Sequence, residues 1–150
     1  MAAPQRRSLD FQNFDQLIAD VARLQAHGYD RVGQWSLEQI LDHLTRVMQI
    51  ALDPTAGPPR PVRMLLRPIL WYLLKTRSMP TMPAPKIVRP PAEIDGNVYA
   101  RFAAITEQAG HLSGDTIDHP AFGRISVTDW QQLQLVHAAR HLSFLIPRPT

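Results

Sequence analysis

The sequence predicts an all-α protein, a four-helix bundle with a long proline-rich crossover, holding a short extra helix, between its second and third helices. Three observations support this class. Four stretches repeat apolar residues at spacings of three and four, the period of one helix face. Patterns alternating with a period of two, the mark of a half-buried strand, are almost absent. Ten of the fourteen prolines fall in residues 53–92, which therefore cannot be one continuous helix. Amphipathic helices without strands bury their apolar stripes against one another, which is the logic of a bundle.

The first helix is expected over 13–26, with Phe14, Leu17, Ile18, Val21 and Leu24 on one face and Gly28 as its stop. The second starts at Ser36, where Ser36-x-x-Gln39 fits a capping box, and ends before Pro54. The third covers about 93–108, with Ile94, Val98, Phe102 and Ile105 as its buried row and Gly110 beyond it. The fourth begins at Thr128, whose spacing to Gln131 again fits a capping box, and is stopped by Pro147 and Pro149. Within the crossover, the apolar and basic stretch 62–77 is read as helical from around Pro68 onward, since proline is tolerated in a first turn. It reads either as a membrane-surface or partner-binding helix or as a segment packed over the bundle. The tract Met79-Pro-Thr-Met-Pro-Ala-Pro85 is expected to be extended, framing a pocket or serving as a linker.

A chain of 150 residues has the length of one domain, and all of it is read as one, with 1–10 flexible and 53–92 as an insertion. There are no cysteines, which excludes disulfides, thiolate zinc clusters and a cysteine nucleophile. The net charge of +3 comes without any block of consecutive basic residues, so nothing reads as a nucleic-acid footprint. The pair Arg6-Arg7 is followed by polar residues where an export signal needs an apolar run. No stretch reaches the roughly 18 apolar residues of a transmembrane helix. The expected location is the cytoplasm.

The chemistry lies in the histidines. Trp130, Leu133, His137, His141 and Phe144 share one face of the last helix, so two imidazoles replace apolar residues on a core stripe. Residues i and i+4 have Cβ atoms roughly 6 Å apart, and their ring nitrogens can converge on one divalent ion. A third ligand must come from elsewhere. His43 follows Ile40 by three and precedes Val47 by four, at the edge of the buried face of the second helix, and is the best candidate. An inward histidine is more often a satisfied core residue than a ligand, and only the constellation of three favours a metal. His27 and His111 are expected to be solvated. His119-Pro-Ala-Phe-Gly123 reads as a turn that sets the start of the last helix, with Phe122 packing inward. His119 as a fourth ligand is the alternative.

Trp35-Ser-Leu-Glu-Gln-Ile-Leu-Asp-His43-Leu, His119-Pro-Ala-Phe-Gly-Arg124 followed by Thr128-Asp-Trp, and His137-x-x-x-His141-Leu-Ser-Phe together resemble the DinB/YfiT-like superfamily. More closely they are similar to a bacterial branch known only as a domain of unknown function, over about residues 10–147. The resemblance implies a four-helix bundle with a long connection between helices two and three. It also implies a divalent ion held by three histidines, which fall here on His43, His137 and His141. Members of the superfamily include transferases that use low-molecular-weight thiols and a maleylpyruvate isomerase. The proline-rich insertion is where this chain departs from simpler members.

Two function classes follow. In the first, the chain is a metal-dependent enzyme in which His43, His137 and His141 hold Zn²⁺ or Ni²⁺ and a small-molecule substrate, such as a low-molecular-weight thiol, meets the ion. In the second it is a non-enzymatic bundle with structural histidines or a structural metal, and 62–77 is a homodimer or partner surface. Asp42 and Arg140 neighbour the ligands in sequence but point about 100° away from them, and receive no catalytic role. Ser143 lacks the base and orienting acid of a hydrolase.

Overall fold

The computed structural model describes residues 5–52, 60–80 and 82–150, with side chains in the second stretch from 63 onward. Helix α1 (Phe14–His27) opens at Asn13, whose side chain accepts from the Gln16 amide at 2.9 Å and so satisfies one of the amides a helix start leaves unpaired. It closes at Gly28, which takes a φ of 75° as its amide donates to the Leu24 carbonyl at 3.0 Å. Helix α2 (Leu37–Leu52) begins with both halves of the expected capping box. The Gln39 amide donates to Ser36 Oγ at 3.2 Å, and the Ser36 amide donates to Gln39 Oε1 at 2.9 Å. Its expected end ahead of Pro54, like the first residues of the 1–10 segment, lies outside the described residues.

Helix α3 (Arg60–Thr76) is longer than the sequence suggested and contains Pro68 in its interior. Proline removes one hydrogen bond to the carbonyl four residues back, and here that bond is lost on the exposed side of the helix, where water can replace it. A 3₁₀ turn, Lys86–Val88, then brings the chain back against α2. Helix α4 (Val98–Gly110) starts five residues later than the apolar row implied. Asp95-Gly96-Asn97 forms a turn instead, in which the Asn97 amide donates to Asp95 Oδ1 at 2.9 Å. Helix α5 (Val127–Leu142) is capped by Ser126, whose Oγ accepts from the Asp129 amide at 3.0 Å, two residues ahead of the expected start.

The all-α, four-helix-bundle expectation is overturned. Besides five α-helices, the described residues form two small antiparallel sheets, so the class is mixed. Strand β1 (Tyr29–Arg31) pairs with β4 (Leu145–Pro147), Asp30 facing Ile146, and β2 (Thr116–His119) pairs with β3 (Gly123–Ser126), Ile117 facing Ile125. The physical reason is length. Strands of three and four residues carry too few positions to show alternation, and the helices, not a sheet face, bury most of the core. Pro147, read as a helix stop, sits at the end of β4.

The core gathers Leu17, Leu24, Leu41, Leu44, Trp130 and Leu142, all at most 1% exposed, between α1, α2, α4 and α5. No helix among the described residues is long and apolar enough to cross a membrane. The β1–β4 pairing matters most for the site. It brings the segment after β1 onto the C-terminal end of α5, where the Val32 amide donates to the Phe144 carbonyl at 2.8 Å. A Cβ at Gly33 would stand 3.1 Å from the Phe144 side chain, so the close approach suits glycine. Trp35 is thereby set beside the last turns of α5.

Candidate metal centre

The stripe on α2 and the stripe on α5 meet at three imidazoles. His43 Nε2 lies 3.2 Å from His137 Nε2, and His141 Nε2 lies 3.0 Å from that same atom. One ring nitrogen from each residue falls within 4.8 Å of the others. The three ring centroids are 4.7–5.0 Å apart, and each pair of planes meets at 71–77°, so the rings turn their edges toward a common centre. The i, i+4 spacing on α5 and the position of His43 at the edge of the α2 stripe are what produce this geometry.

Hydrogen bonding fixes which atoms are available. His43 Nδ1 donates to the Val88 carbonyl at 2.8 Å, which places the proton on Nδ1 and leaves the Nε2 lone pair directed at the other histidines. His137 Nε2 has one in-plane position and two nitrogen neighbours. It can hydrogen bond with one of them at most, and the other contact then sets a polar atom against an unsatisfied one. A shared cation resolves both contacts at once. Nitrogens held at about 2.0–2.1 Å by one tetrahedral ion stand roughly 3.3 Å apart, close to the two separations at His137 Nε2, so these residues could hold a divalent ion.

Electrostatics point the same way. Burial pushes the His137 pKa well below its ordinary value, helped by the neighbouring His141 and His43. Burial, with His43, lowers His141 to about 3. His43 is lowered by burial too, against the opposing pull of its Val88 bond and Asp42. Neutral imidazoles are the form that binds metal. His43 is buried, while His137 and His141 are half-buried and keep contact with solvent.

Sequence reasoning missed two members of this site. Trp35 stacks on His141, 5.3 Å between centroids with planes 17° apart, and leans on His43 at 5.0 Å. Its signal was faint: an aromatic just ahead of a capping box, on a loop. Val88 contributes only its carbonyl, and a backbone atom leaves no mark on residue identity.

The other candidates fall elsewhere. His119 stands outside the converging group. Its Nδ1 accepts from the amides of Ala121 and Phe122 at 3.0 and 3.2 Å, and its ring stacks on Phe122 at 4.9 Å. It closes the hairpin turn, as the structural reading of that motif expected. His27 and His111 are exposed. Asp42 accepts from Arg46 Nε at 2.7 Å and lines a separate cleft with Arg46, Glu93, Asp95 and Arg101. Ser143 is buried, its hydroxyl donating to the Arg140 carbonyl at 2.6 Å.

No curated protein and no solved structure matches the chain. One family model does, over residues 3–148, and with nearly the whole chain covered the protein belongs to the family described as "Protein of unknown function (DUF1569)".

Proposed function

We propose that the protein is a metal-dependent enzyme in which His43, His137 and His141 hold Zn²⁺ or Ni²⁺. The observation that carries this reading is the placement of one nitrogen, His137 Nε2, within 3.2 Å of two others, with only one of those contacts open to a hydrogen bond. A bound divalent ion would supply Lewis acidity at a site whose three ligands are neutral and so leave its charge undiminished.

The chain's own residues prepare the site. The Val88 carbonyl holds the His43 ring in one tautomer and orientation, the usual task of a partner behind a ligand. Trp35 covers one side of His43 and His141 and limits water there. The half-buried edges of His137 and His141 leave a side by which a small molecule can approach. The resemblance to the DinB/YfiT-like superfamily supports a small-molecule substrate, with a low-molecular-weight thiol as the leading class. A chain without cysteine can work only on an external sulfur.

Metal analysis of protein purified without chelator tests the proposal. About one equivalent in the native chain, and strong loss in His43→Ala and His137→Ala, are expected. Equal and negligible metal in all three overturns it. Metal retained without any exchangeable coordination position would leave the ion a structural staple between α2 and α5.

A further inference from the structure

Helix α3 is apolar on two sides. Leu70 and Leu73 are buried against the rest of the fold, yet Met64, Leu65, Ile69, Trp71 and Tyr72 are 45–77% exposed. At 100° per residue, Trp71, Met64, Pro68, Tyr72, Leu65 and Ile69 follow one another around a single arc of about 160°. A soluble surface does not ordinarily leave so many large apolar side chains together.

Charge identifies what covers this face. Residues 60–76 contain no Asp or Glu, whereas Lys75 lies within the arc and Arg67 flanks it, both exposed. Lys75 Nζ sits 4.6 Å over the Trp71 ring. Beside the arc, a cleft of about 420 Å³ separates α3 from the β2–β3 hairpin. Arg67, Arg124, Met64 and Phe122 line it, and Arg63 pairs with Asp118 in its wall at 3.6 Å.

We infer that α3 is a docking surface for anionic phospholipid: the arc enters the boundary between headgroups and acyl chains, and Lys75, Arg67 and Arg124 meet the phosphates. A tryptophan and a tyrosine beside basic residues suit that boundary, where rings span the apolar and wet layers and lysine reaches outward. The 17-residue helix is about 25 Å long and lies along the surface, since it is not apolar enough to cross it. A second copy of the chain fits less well. A two-fold contact would bury Lys75 with no carboxylate on either α3 to pair with it. The inference is independent of the metal centre.

Co-sedimentation of the full chain with vesicles tests it, comparing phosphatidylcholine containing a third phosphatidylglycerol with phosphatidylcholine alone. Binding to the anionic vesicles that weakens as salt rises, with little binding to the neutral ones, is expected. Lys75→Ala and Arg67→Ala should each weaken binding roughly fivefold, and Leu65→Ala about tenfold. Their exposure leaves folding unaffected, which far-ultraviolet circular dichroism checks; His137→Ala should bind vesicles as the native chain does. Absence of binding to anionic vesicles overturns the inference. So does a homodimer that Leu65→Glu dissociates, or binding unchanged in all three alanine variants.

Discussion

His137 and His119 lie on opposite sides of a useful distinction. Both have pKa values pushed down chiefly by burial, His119 to about 4, so both are neutral at pH 7. What differs is what their nitrogens face. His119 Nδ1 accepts from two backbone amides and is spent on closing a hairpin. His137 Nε2 faces two other imidazole nitrogens. A depressed pKa therefore marks burial in both places, and only an uncommitted lone pair marks a ligand.

The largest effect expected from this difference is on stability with metal present. At a metal concentration a thousandfold above the dissociation constant the ion should stabilise the native chain by about 4 kcal/mol, and chelator or His137→Ala should remove that increment. Thermal melts with and without chelator measure it. His119→Ala should leave the metal-dependent increment intact; a matching loss there would erase the distinction.

Common to both sites is the acid response of the metal-free chain. The folded pKa values lie below the ordinary 6.5, so as pH falls below 6.5 the unfolded chain takes up protons that the folded chain does not, and stability drops. His119 contributes between 6.5 and about 4, and His141 continues to about 3, each by up to about 1.4 kcal/mol per pH unit. Below its folded pKa each contribution is complete. Denaturant melts from pH 7 to 4 on chelated protein should show this slope, and a flat profile would mean that the rings reach water. Metal adds to the slope, because protons compete for the same lone pairs.

His119→Ala should also cost about 1–3 kcal/mol in urea melts by leaving the Ala121 and Phe122 amides without their acceptor. The smallest effect sharpens the metal side alone. Trp35→Ala should weaken metal affinity about tenfold, because the His141 ring loses the surface that orients it. Competition titration against a chelating dye measures it, and unchanged affinity would reduce Trp35 to a bystander.

How much of this was legible beforehand depended on the range of the interaction. The Ser36–Gln39 capping box is a contact within one turn, and the sequence displays both partners, whereas Asn13, read as the first helical residue, is the cap ahead of it. His137 and His141 could be read for the same reason, and His43 by its place on an amphipathic stripe. The two small sheets could not. β1 and β4 pair residues more than a hundred positions apart through backbone atoms, which any residue type supplies. The start of α3 was misplaced because proline was taken as a boundary, whereas an exposed proline can sit inside a helix. Trp35 and Val88 reach the site only through tertiary packing.

The three-residue ladder between β1 and β4 also sets how the site moves. Its hydrogen bonds are few, its flanking ion pair between Arg148 and Asp30 is exposed, and it tethers the loop that holds Trp35. Such a ladder frays on its own, long before helices whose leucines are sealed in the core let go. Amides of residues 29–32 should exchange with solvent hydrogen far sooner than those around Leu41 and Leu44. Each fraying event would lift Trp35 from His141 while His43 and His137 stay in place, which ties the exposure of one side of the imidazole cluster to the opening of a three-residue strand pairing.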